Sequence, residues 1–180
     1  MRFVTLSEEH LETVLKWRTS EFVTKYMYTD VEYDMEKQRE WFRRVKQDPH
    51  SYYWVLENKG VHMGLVSITD IDNIHKRAYW NFYIGEPKYG MLAGFIGPYL
   101  YNFAYERFKL NKLMGEVMAG NESVRTLHLK QGAREVGCFK DHIWKNGKFH
   151  DVYIYEMTKE DWLKYGDKYS KYQPEVETGL

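Results

Sequence analysis

Apolar residues recur with a helical period in two segments near the start of the chain. After a short predicted strand at Arg2–Leu6, Ser7 is a typical N-cap, and the glutamates that follow favour the first turn of a helix. In a second helix, predicted from Asp34 to Gln47, apolar positions again repeat every three or four residues. The first stripe comprises Leu11, Val14, Leu15 and Arg18, and the second comprises Met35, Gln38, Trp41, Phe42 and Val45.

Alternation of apolar and polar residues then predicts strands. Three of them follow one another at Tyr52–Glu57, Gly64–Ile71 and Ala78–Ile84, which is most simply an antiparallel meander. Near the C-terminus, Asn146 and Gly147 accept left-handed backbone conformations and separate two further predicted strands, so this segment is predicted to be a β-hairpin. Its strands run from about Val136 to Trp144 and from about Phe149 to Met157.

Between the meander and the hairpin, the pattern predicts a helix to about Phe108, a strand at Leu113–Met118 and a helix at Asn121–Gln131. A last short helix is expected to end at Gly166. This order of elements predicts a single mixed α/β domain over residues 1–166, followed by a polar C-terminal tail over residues 167–180.

Composition restricts the class of partner. The 26 basic and 26 acidic residues give a formal net charge of zero, so the sequence offers no electrostatic argument for binding nucleic acid or an anionic membrane. Small molecules or proteins are the expected partners. The single cysteine, Cys138, cannot form an internal disulfide, and the N-terminus lacks the pattern of a secretion signal, so a cytoplasmic location is expected. No spacing around His142, His150 and Asp151 matches a zinc pattern, so no metal is expected.

The turn between the third predicted strand and the next helix is a candidate anion site. Unpaired N–H groups at a helix N-terminus bind phosphate oxygens, and small residues let a ligand approach the backbone. A plain helix entry explains the same residues equally well. The helix is predicted to begin near Gly94, and the position of Pro98 allows a start as late as Ile96. The small residues are Gly90, Ala93, Gly94 and Gly97, with Lys88 as a nearby charge.

Two ionisable residues could carry proton transfer. Glu116 lies between Met114 and Met118 on one face of its strand, where desolvation would suit it to be a general base, although a salt-bridged structural glutamate is the alternative. His128 lies on the same helical stripe as Val124, and its ordinary pKa near 6.5 suits proton transfer at cellular pH. The alternative for His128 is an ordinary core residue.

The stretch NESVRTLHLKQGA, together with the strand, loop and helix at Ala78 to Phe108, resembles the GNAT superfamily of acyl-CoA N-acyltransferases. The likeness covers essentially the whole chain in the right order of elements. It implies a GNAT fold, with a single mixed sheet of about seven strands, helices on both faces, and a splay between the fourth and fifth strands. More narrowly, LKWRTSEFVTKYMYTD, GLVSITDIDNIHKRAYWNFYIG and FKDHIWKNGKFHDV are similar to sugar-nucleotide N-acetyltransferases of pseudaminic acid biosynthesis.

This resemblance implies acetyl-CoA as the co-substrate and direct transfer in a ternary complex. Glu116 corresponds to the proposed general base, and His128 to the position, often tyrosine, that protonates the departing thiolate. The chain departs from the superfamily's loop pattern, which is (Arg/Gln)-x-x-Gly-x-(Gly/Ala). The three specified positions are here Tyr89, Leu92 and Gly94, so the basic or amide residue and the first glycine are absent from the pattern. The implied CoA-binding residues are Phe82, Tyr83, Ile84, Tyr89, Gly90, Leu92, Ala93, Gly94 and Asn121, and the implied acceptor-binding residues are Arg18, Met27, Tyr28, Trp41 and Tyr79.

The resemblance therefore implies an N-acetyltransferase that acts on the amino group of a UDP-linked 4-amino-4,6-dideoxy sugar. Two alternatives stay open. One is an enzyme of the same fold that acetylates protein N-termini, as ribosomal-protein acetyltransferases do, or polyamines. The other is a catalytically weak sensor or scaffold that binds acyl-CoA. A homodimer is a further possibility.

Overall fold

The computed structural model describes residues 1–177, and these residues contain one mixed sheet of eight strands in the order β6-β7-β5-β4-β3-β2-β1-β8. The predicted single mixed sheet is confirmed, with one strand more than expected. The strands are β1 (Arg2–Thr5), β2 (Tyr52–Asn58), β3 (Val61–Asp72), β4 (Arg77–Ile84), β5 (Lys112–Met118), β6 (Arg134–Lys145), β7 (Lys148–Thr158) and β8 (Glu175–Val176).

Helices cover both faces of this sheet, as predicted. They are α1 (Leu11–Thr19), α2 (Glu21–Thr24), α3 (Met35–Gln47), α4 (Ala93–Arg107), α5 (Glu122–Lys130), α6 (Lys159–Leu163) and α7 (Gly166–Tyr169). One hydrophobic core joins the sheet to α1, α2 and α3, and a larger one joins it to α4, α5 and α6. We call the two sides of the sheet the α1–α3 face and the α4–α5 face. The short α2 was not predicted, because its four residues carry no detectable period.

The first three strands after α3 form the predicted antiparallel meander. Tyr52 pairs with Ile68, and Gly64 pairs with Ile84, so β3 lies between β2 and β4. The turn before β3 uses Lys59 and Gly60, which both have positive φ. The α3 stripe also behaves as predicted, since Gln38 and Phe42 are buried and Asp34 caps the helix with its side chain.

Strands β4 and β5 run parallel but pair only where they begin. The paired residues are Arg77–Tyr79 of β4 and Lys112–Met114 of β5. Beyond this point, β4 pairs only with β3, and β5 pairs only with β7. The predicted splay between the fourth and fifth strands is therefore confirmed, and it leaves a gap that connects the two faces of the sheet.

The predicted C-terminal hairpin is also present, with longer strands than expected. Asn146 and Gly147 have φ values of 52° and 74°, which are the left-handed conformations that a tight reversal requires. The pairing of β6 with β7 shifts between Phe139 and Ile143, and Asp141 has a φ of 49° in this interval. The last pair between β5 and β7 is Met118 with Val152. The turn end of the hairpin, which precedes Val152 in β7, therefore extends beyond β5.

The segment after α6 packs on the molecule instead of forming a free tail. The predicted last helix ends at Leu163, and Gly166 begins α7. The Asn102 amide donates hydrogen bonds to the carbonyl oxygens of Tyr169 and Tyr172, at 2.8 and 2.9 Å. Strand β8 then pairs with β1 in parallel. Residues 178–180 of the predicted tail lie outside the described residues, and the division at residue 166 stays a prediction.

None of the helices within residues 1–177 is both long enough and apolar enough to cross a lipid bilayer.

Candidate active site

Glu116 lies on β5 just beyond the last residue that pairs with β4. Its carboxylate accepts a hydrogen bond from the Tyr28 hydroxyl, with an oxygen–oxygen distance of 2.7 Å. Burial raises the pKa of Tyr28 well above its ordinary value, and the bond to Glu116 adds to this effect, so the phenol remains a donor. Within residues 1–177 Glu116 forms no ion pair, so the structure gives no support to a salt-bridged structural glutamate.

His128 belongs to α5 and lies against the face of β5 that is opposite to the Glu116 side chain. Successive residues of a strand point to opposite faces, so Gly115 faces α5 while Glu116 faces the α1–α3 side. The Cε1 atom of His128 is 3.3 Å from the position that a Cβ atom on Gly115 would occupy. The imidazole stacks on Tyr155 at a ring distance of 4.9 Å and meets Trp80 edge-on at 5.3 Å. Glu116 and His128 therefore lie on the two faces of the sheet, beside the gap.

His128 borders a crevice on the α4–α5 face that is too tight in this structure to admit a water molecule. Its walls come from β4, α4 and α5, and they are mainly apolar. The Nδ1 atom of His128 is buried in this region and has no hydrogen-bond partner among residues 1–177. A buried polar atom without a partner costs free energy in a folded protein, which suggests that a ligand completes the site. The lining residues are Trp80, Phe82, Ala93, Gly97, Val124, Leu127, His128 and Gln131.

The environment of His128 changes the chemistry expected of it. Burial of the imidazole lowers the pKa of His128 from 6.5 to about 4, because the charged form loses its hydration. The ring is therefore neutral at cellular pH, which differs from the ordinary titration assumed from the sequence. A neutral imidazole carries one N–H donor and one lone pair, so it can hold a sulfur or oxygen atom by a hydrogen bond.

This lowered pKa makes the stability of the protein depend on pH. The unfolded chain binds a proton at His128 below about pH 6.5, whereas the folded chain does so only near pH 4. Above pH 6.5 His128 is neutral in both the folded and the unfolded chain, so its protonation does not reduce stability. As the pH decreases to 4, protonation favours the unfolded chain, and we expect the free energy of unfolding to fall by up to about 3 kcal/mol. Urea unfolding of the wild type and of His128→Phe between pH 4 and 7 measures this difference.

The matched control is His142→Phe, since His142 is exposed and stacks only on Phe139 in the hairpin. This variant should keep the pH dependence of the wild type. The assignment would be wrong if His128→Phe kept the same slope between pH 6.5 and 4.

The start of α4 is completed by the side chain of Gln131, the residue that follows α5. Pro98 has no N–H group, so the carbonyl oxygen of Gly94 lacks its usual partner four residues later. The Gln131 side-chain amide donates a hydrogen bond to this oxygen at 3.0 Å. Gln131 fits because Gly97 has no side chain, and a Cβ atom at Gly97 would overlap it. This contact explains why α4 begins at Ala93, close to the predicted Gly94, although the position of Pro98 allowed a start as late as Ile96.

The residues predicted to hold the pantetheine arm of CoA differ in their surroundings. Residues 80–84 of β4 have one backbone edge that no strand pairs within residues 1–177. Successive residues direct their backbone groups to opposite edges, and Gly85 donates to Met63 of β3, so Phe82 and Ile84 could hydrogen-bond an extended ligand at the free edge while the backbone of Tyr83 faces β3. The Phe82 side chain lines the crevice. The Tyr83 side chain lies on the α1–α3 face, and its buried hydroxyl has no partner.

The predicted pyrophosphate loop forms a 3-10 turn over Pro87–Leu92 that leads directly into α4. Tyr89, Gly90 and Leu92 belong to this turn, and Ala93 and Gly94 begin the helix. The Lys88 ammonium lies over the Tyr89 ring at 5.1 Å. Asn121 precedes α5 as predicted, but its side chain forms no capping hydrogen bond and instead accepts one from the Ser123 hydroxyl at 3.2 Å.

The five predicted acceptor-binding residues have three different kinds of surroundings. Tyr28 contacts Glu116, and Tyr79 pairs with Met114, which places its side chain on the same face as Glu116. Met27 and Trp41 instead pack against the core of the α1–α3 face, where Trp41 meets Tyr53 at a ring distance of 5.4 Å. Arg18 donates hydrogen bonds to Thr29 and Thr24.

Several residues near the site were missed from the sequence. Trp80 and Gln131 line the crevice, and Lys145 pairs with Asp30 beside Tyr28. Gln131 could have been found, since Pro98 leaves a helix carbonyl without a donor. The burial of Lys145 gives no signal in the sequence, because a lysine in a hairpin is ordinarily exposed.

No group of three or more histidine, cysteine or acidic side chains that could hold a metal ion occurs among the described residues.

A comparison with protein families gives an independent result. Residues 1–134 match the family model described as "Acetyltransferase (GNAT) domain". The curated "Putative ribosomal N-acetyltransferase YdaF" of Bacillus subtilis (strain 168) is 28% identical over 102 residues, which cover 55% of this chain and 55% of that protein. The chain thus matches only about half the length of this relative.

Solved structures share the fold. The spermidine N-acetyltransferase from Vibrio cholerae, in complex with CoA and spermine, aligns with a TM-score of 0.82 at 18% identity, over 88% of this chain and 95% of that chain. A chimera of that enzyme and hSSAT aligns with a TM-score of 0.80 at 18% identity, over 91% and 99% of the two chains. At such identities the likeness shows the fold alone.

Proposed function

Because the chain belongs to the GNAT acetyltransferase family, we propose that it transfers the acetyl group of acetyl-CoA to an amine within a ternary complex. The observation that carries this proposal is the gap between β4 and β5, which has Glu116 on one face and His128 on the other. The sequence predicted an acetyltransferase that uses acetyl-CoA, and the family match agrees with this prediction.

Three features of the α4–α5 face support a binding site for acetyl-CoA. The crevice is lined in part by His128, whose buried Nδ1 atom has no partner in the described part of the chain. The edge of β4 beyond Tyr79 offers backbone groups that no strand pairs. An extended amide-containing arm can hydrogen-bond such an edge in the way that an added strand does.

Acetyl-CoA supplies an activated acetyl group and a thiolate that can leave. We assign to Glu116 the acceptance of a proton from the ammonium group of the acceptor, directly or through water, because an ammonium nitrogen has no free electron pair for attack. We assign to His128 a hydrogen bond from its N–H group to the sulfur atom. A neutral imidazole is suited to this role, since it stabilises a developing thiolate without itself being charged.

The acceptor that the site favours is a single amino group on a peptide. Glu116 has the aromatic residues Tyr28 and Tyr79 on its face, and the nearby Asp30 carboxylate is already paired with Lys145. One available carboxylate suits one ammonium group better than the several charges of a polyamine. The relative named as a ribosomal N-acetyltransferase supports a protein N-terminus as the acceptor.

Two other acceptors are weaker candidates. Spermidine is favoured only by the name of a structural neighbour that shares the fold. The nucleotide-linked amino sugar implied by the narrower resemblance has no support from the comparisons, and Arg18, which was expected near its diphosphate, is engaged by Thr29 and Thr24. A cytoplasmic location and a homodimer stay predictions.

A thiol-release assay with acetyl-CoA tests the choice of acceptor. We expect kcat/KM for short peptides with free N-termini to exceed that for spermidine and for a UDP-linked 4-amino sugar by roughly tenfold, which corresponds to about 1.4 kcal/mol. A peptide with a blocked N-terminus is the control and should release no thiol. Turnover with the sugar nucleotide alone would refute the peptide proposal. Binding of CoA without turnover of any acceptor would favour the sensor alternative.

A further inference from the structure

Tyr28 is the only residue in the described part of the chain whose side chain donates a hydrogen bond to Glu116. It lies in the segment between α2 and α3, which contains no helix or strand from residue 25 to residue 34. Such a segment is ordinarily mobile. A mobile tyrosine would hold the carboxylate poorly, so the contacts that fix this segment determine the position of Glu116.

Arg18 fixes the residue that follows Tyr28. Its Nη2 atom donates hydrogen bonds to the carbonyl oxygen of Thr29 at 2.7 Å and to the Thr29 hydroxyl at 3.0 Å. Its Nη1 atom donates to the Thr24 hydroxyl at 3.3 Å. Arg18 is half-buried, and burial lowers its pKa, but a guanidinium remains charged in proteins. Its fork therefore joins the last residue of α2 to the residue that follows Tyr28.

Lys145 fixes the next residue from the other side. Its ammonium pairs with the Asp30 carboxylate, and the Thr24 hydroxyl donates to the same carboxylate at 3.1 Å. The Lys145 side chain is only 3% exposed, whereas Asp30 is 65% exposed. The bonds from Lys145 and Thr24 lower the pKa of Asp30, so its carboxylate is charged. Burying an ammonium is costly unless it is paired, and this lysine of the β6–β7 hairpin is paired by the Asp30 carboxylate of the segment.

We propose that Arg18, Thr24, Asp30 and Lys145 form a clamp that holds Tyr28 against Glu116, and that the clamp residues are positioning residues for the transfer reaction. This inference rests on the proposed function. It also changes the role of Arg18, which was expected to bind the acceptor and instead holds the segment that carries Tyr28. The clamp connects the end of the hairpin, far along the chain, to the carboxylate on β5.

Three variants test the clamp in the full-length protein. Lys145→Met keeps the volume of the buried side chain and leaves Asp30 in contact with water, so the fold should be retained. We expect kcat with the best acceptor to fall about tenfold, because small displacements of a catalytic group have large effects on rate. KM for acetyl-CoA should change less than twofold, since the clamp lies on the opposite face from the crevice. Tyr28→Phe, which removes the hydroxyl, should lower kcat at least as much.

The double variant Tyr28→Phe with Lys145→Met separates positioning from general destabilisation. If the clamp acts through Tyr28, the double variant is no slower than Tyr28→Phe alone, because the second change has nothing left to disturb. Multiplied losses would overturn the proposal. The control is Lys148→Met, at an exposed lysine of the same hairpin that forms no ion pair within residues 1–177.

Hydrogen exchange of the segment gives a measurement that does not depend on turnover. Amides of residues 25–34 should exchange about tenfold faster in Lys145→Met than in the wild type or in Lys148→Met. Unchanged exchange would overturn the clamp, and faster exchange with unchanged kcat would overturn its role in positioning. A wild type that releases no thiol from any acceptor would instead refute the proposed function, and with it the inference that depends on it.

Discussion

Replacement of Glu116 by glutamine is expected to lower kcat by about 10²–10⁴-fold, which is the usual contribution of a general base. Glutamine has nearly the same shape and can still accept the hydrogen bond from Tyr28, so the change removes the proton acceptor and little else. KM for acetyl-CoA should be nearly unchanged. Steady-state thiol release, with the acceptor that works best for the wild type, measures the effect.

The matched control for this variant is Glu40→Gln, at an exposed carboxylate on α3. It should keep wild-type activity. Thermal unfolding of both variants checks that the loss at Glu116 is not a loss of folded protein. Full activity of Glu116→Gln would show that another group accepts the proton, and the assignment of this residue would be abandoned.

Replacement of Gly85 by alanine is expected to destabilise the fold by roughly 2–4 kcal/mol, which is in the upper range for overpacking a core. Gly85 follows β4 directly, and its N–H donates to the carbonyl oxygen of Met63 at 2.8 Å. A Cβ atom at this position would overlap the indole of Trp17. That ring is only 4% exposed, and its Nε1 atom donates to Glu86 at 3.0 Å, so it cannot move aside easily.

Urea unfolding at constant pH measures this change, with Gly90→Ala as the control. A Cβ atom at Gly90 would meet nothing within 4 Å, so this variant should differ from the wild type by less than about 0.5 kcal/mol. Equal stability of the two variants would mean that Trp17 adapts without cost, contrary to its buried and hydrogen-bonded position.

Much of the architecture could be predicted because its determinants are local. The apolar stripe of α3 and the Asn146–Gly147 turn are each encoded within a few neighbouring residues, and the structure confirms both. The splay between β4 and β5 came from the family resemblance. The residues around Tyr79 form no sequence pattern that predicts where the pairing of β4 with β5 ends.

The features that could not be predicted depend on contacts between distant segments. The order of residues 167–177 depends on Asn102 and on an edge of β1 that is free to pair. The clamp around Tyr28 joins Arg18 to Lys145 through Thr24 and Asp30, and no short stretch of sequence contains all four residues. The pKa of His128 likewise depends on burial among residues of β4, α5 and β7, which a pattern along one helix cannot reveal.

The hydrogen bond from Gln131 to Gly94 has a consequence for the order in which the chain matures on the ribosome. The opening turn of α4 is finished by an amide that is synthesised 37 residues later. While the nascent polypeptide ends before that glutamine, the carbonyl of Gly94 has only water as a partner. The crevice beside α4 is therefore complete only after α5 and Gln131 have left the ribosome and packed against α4.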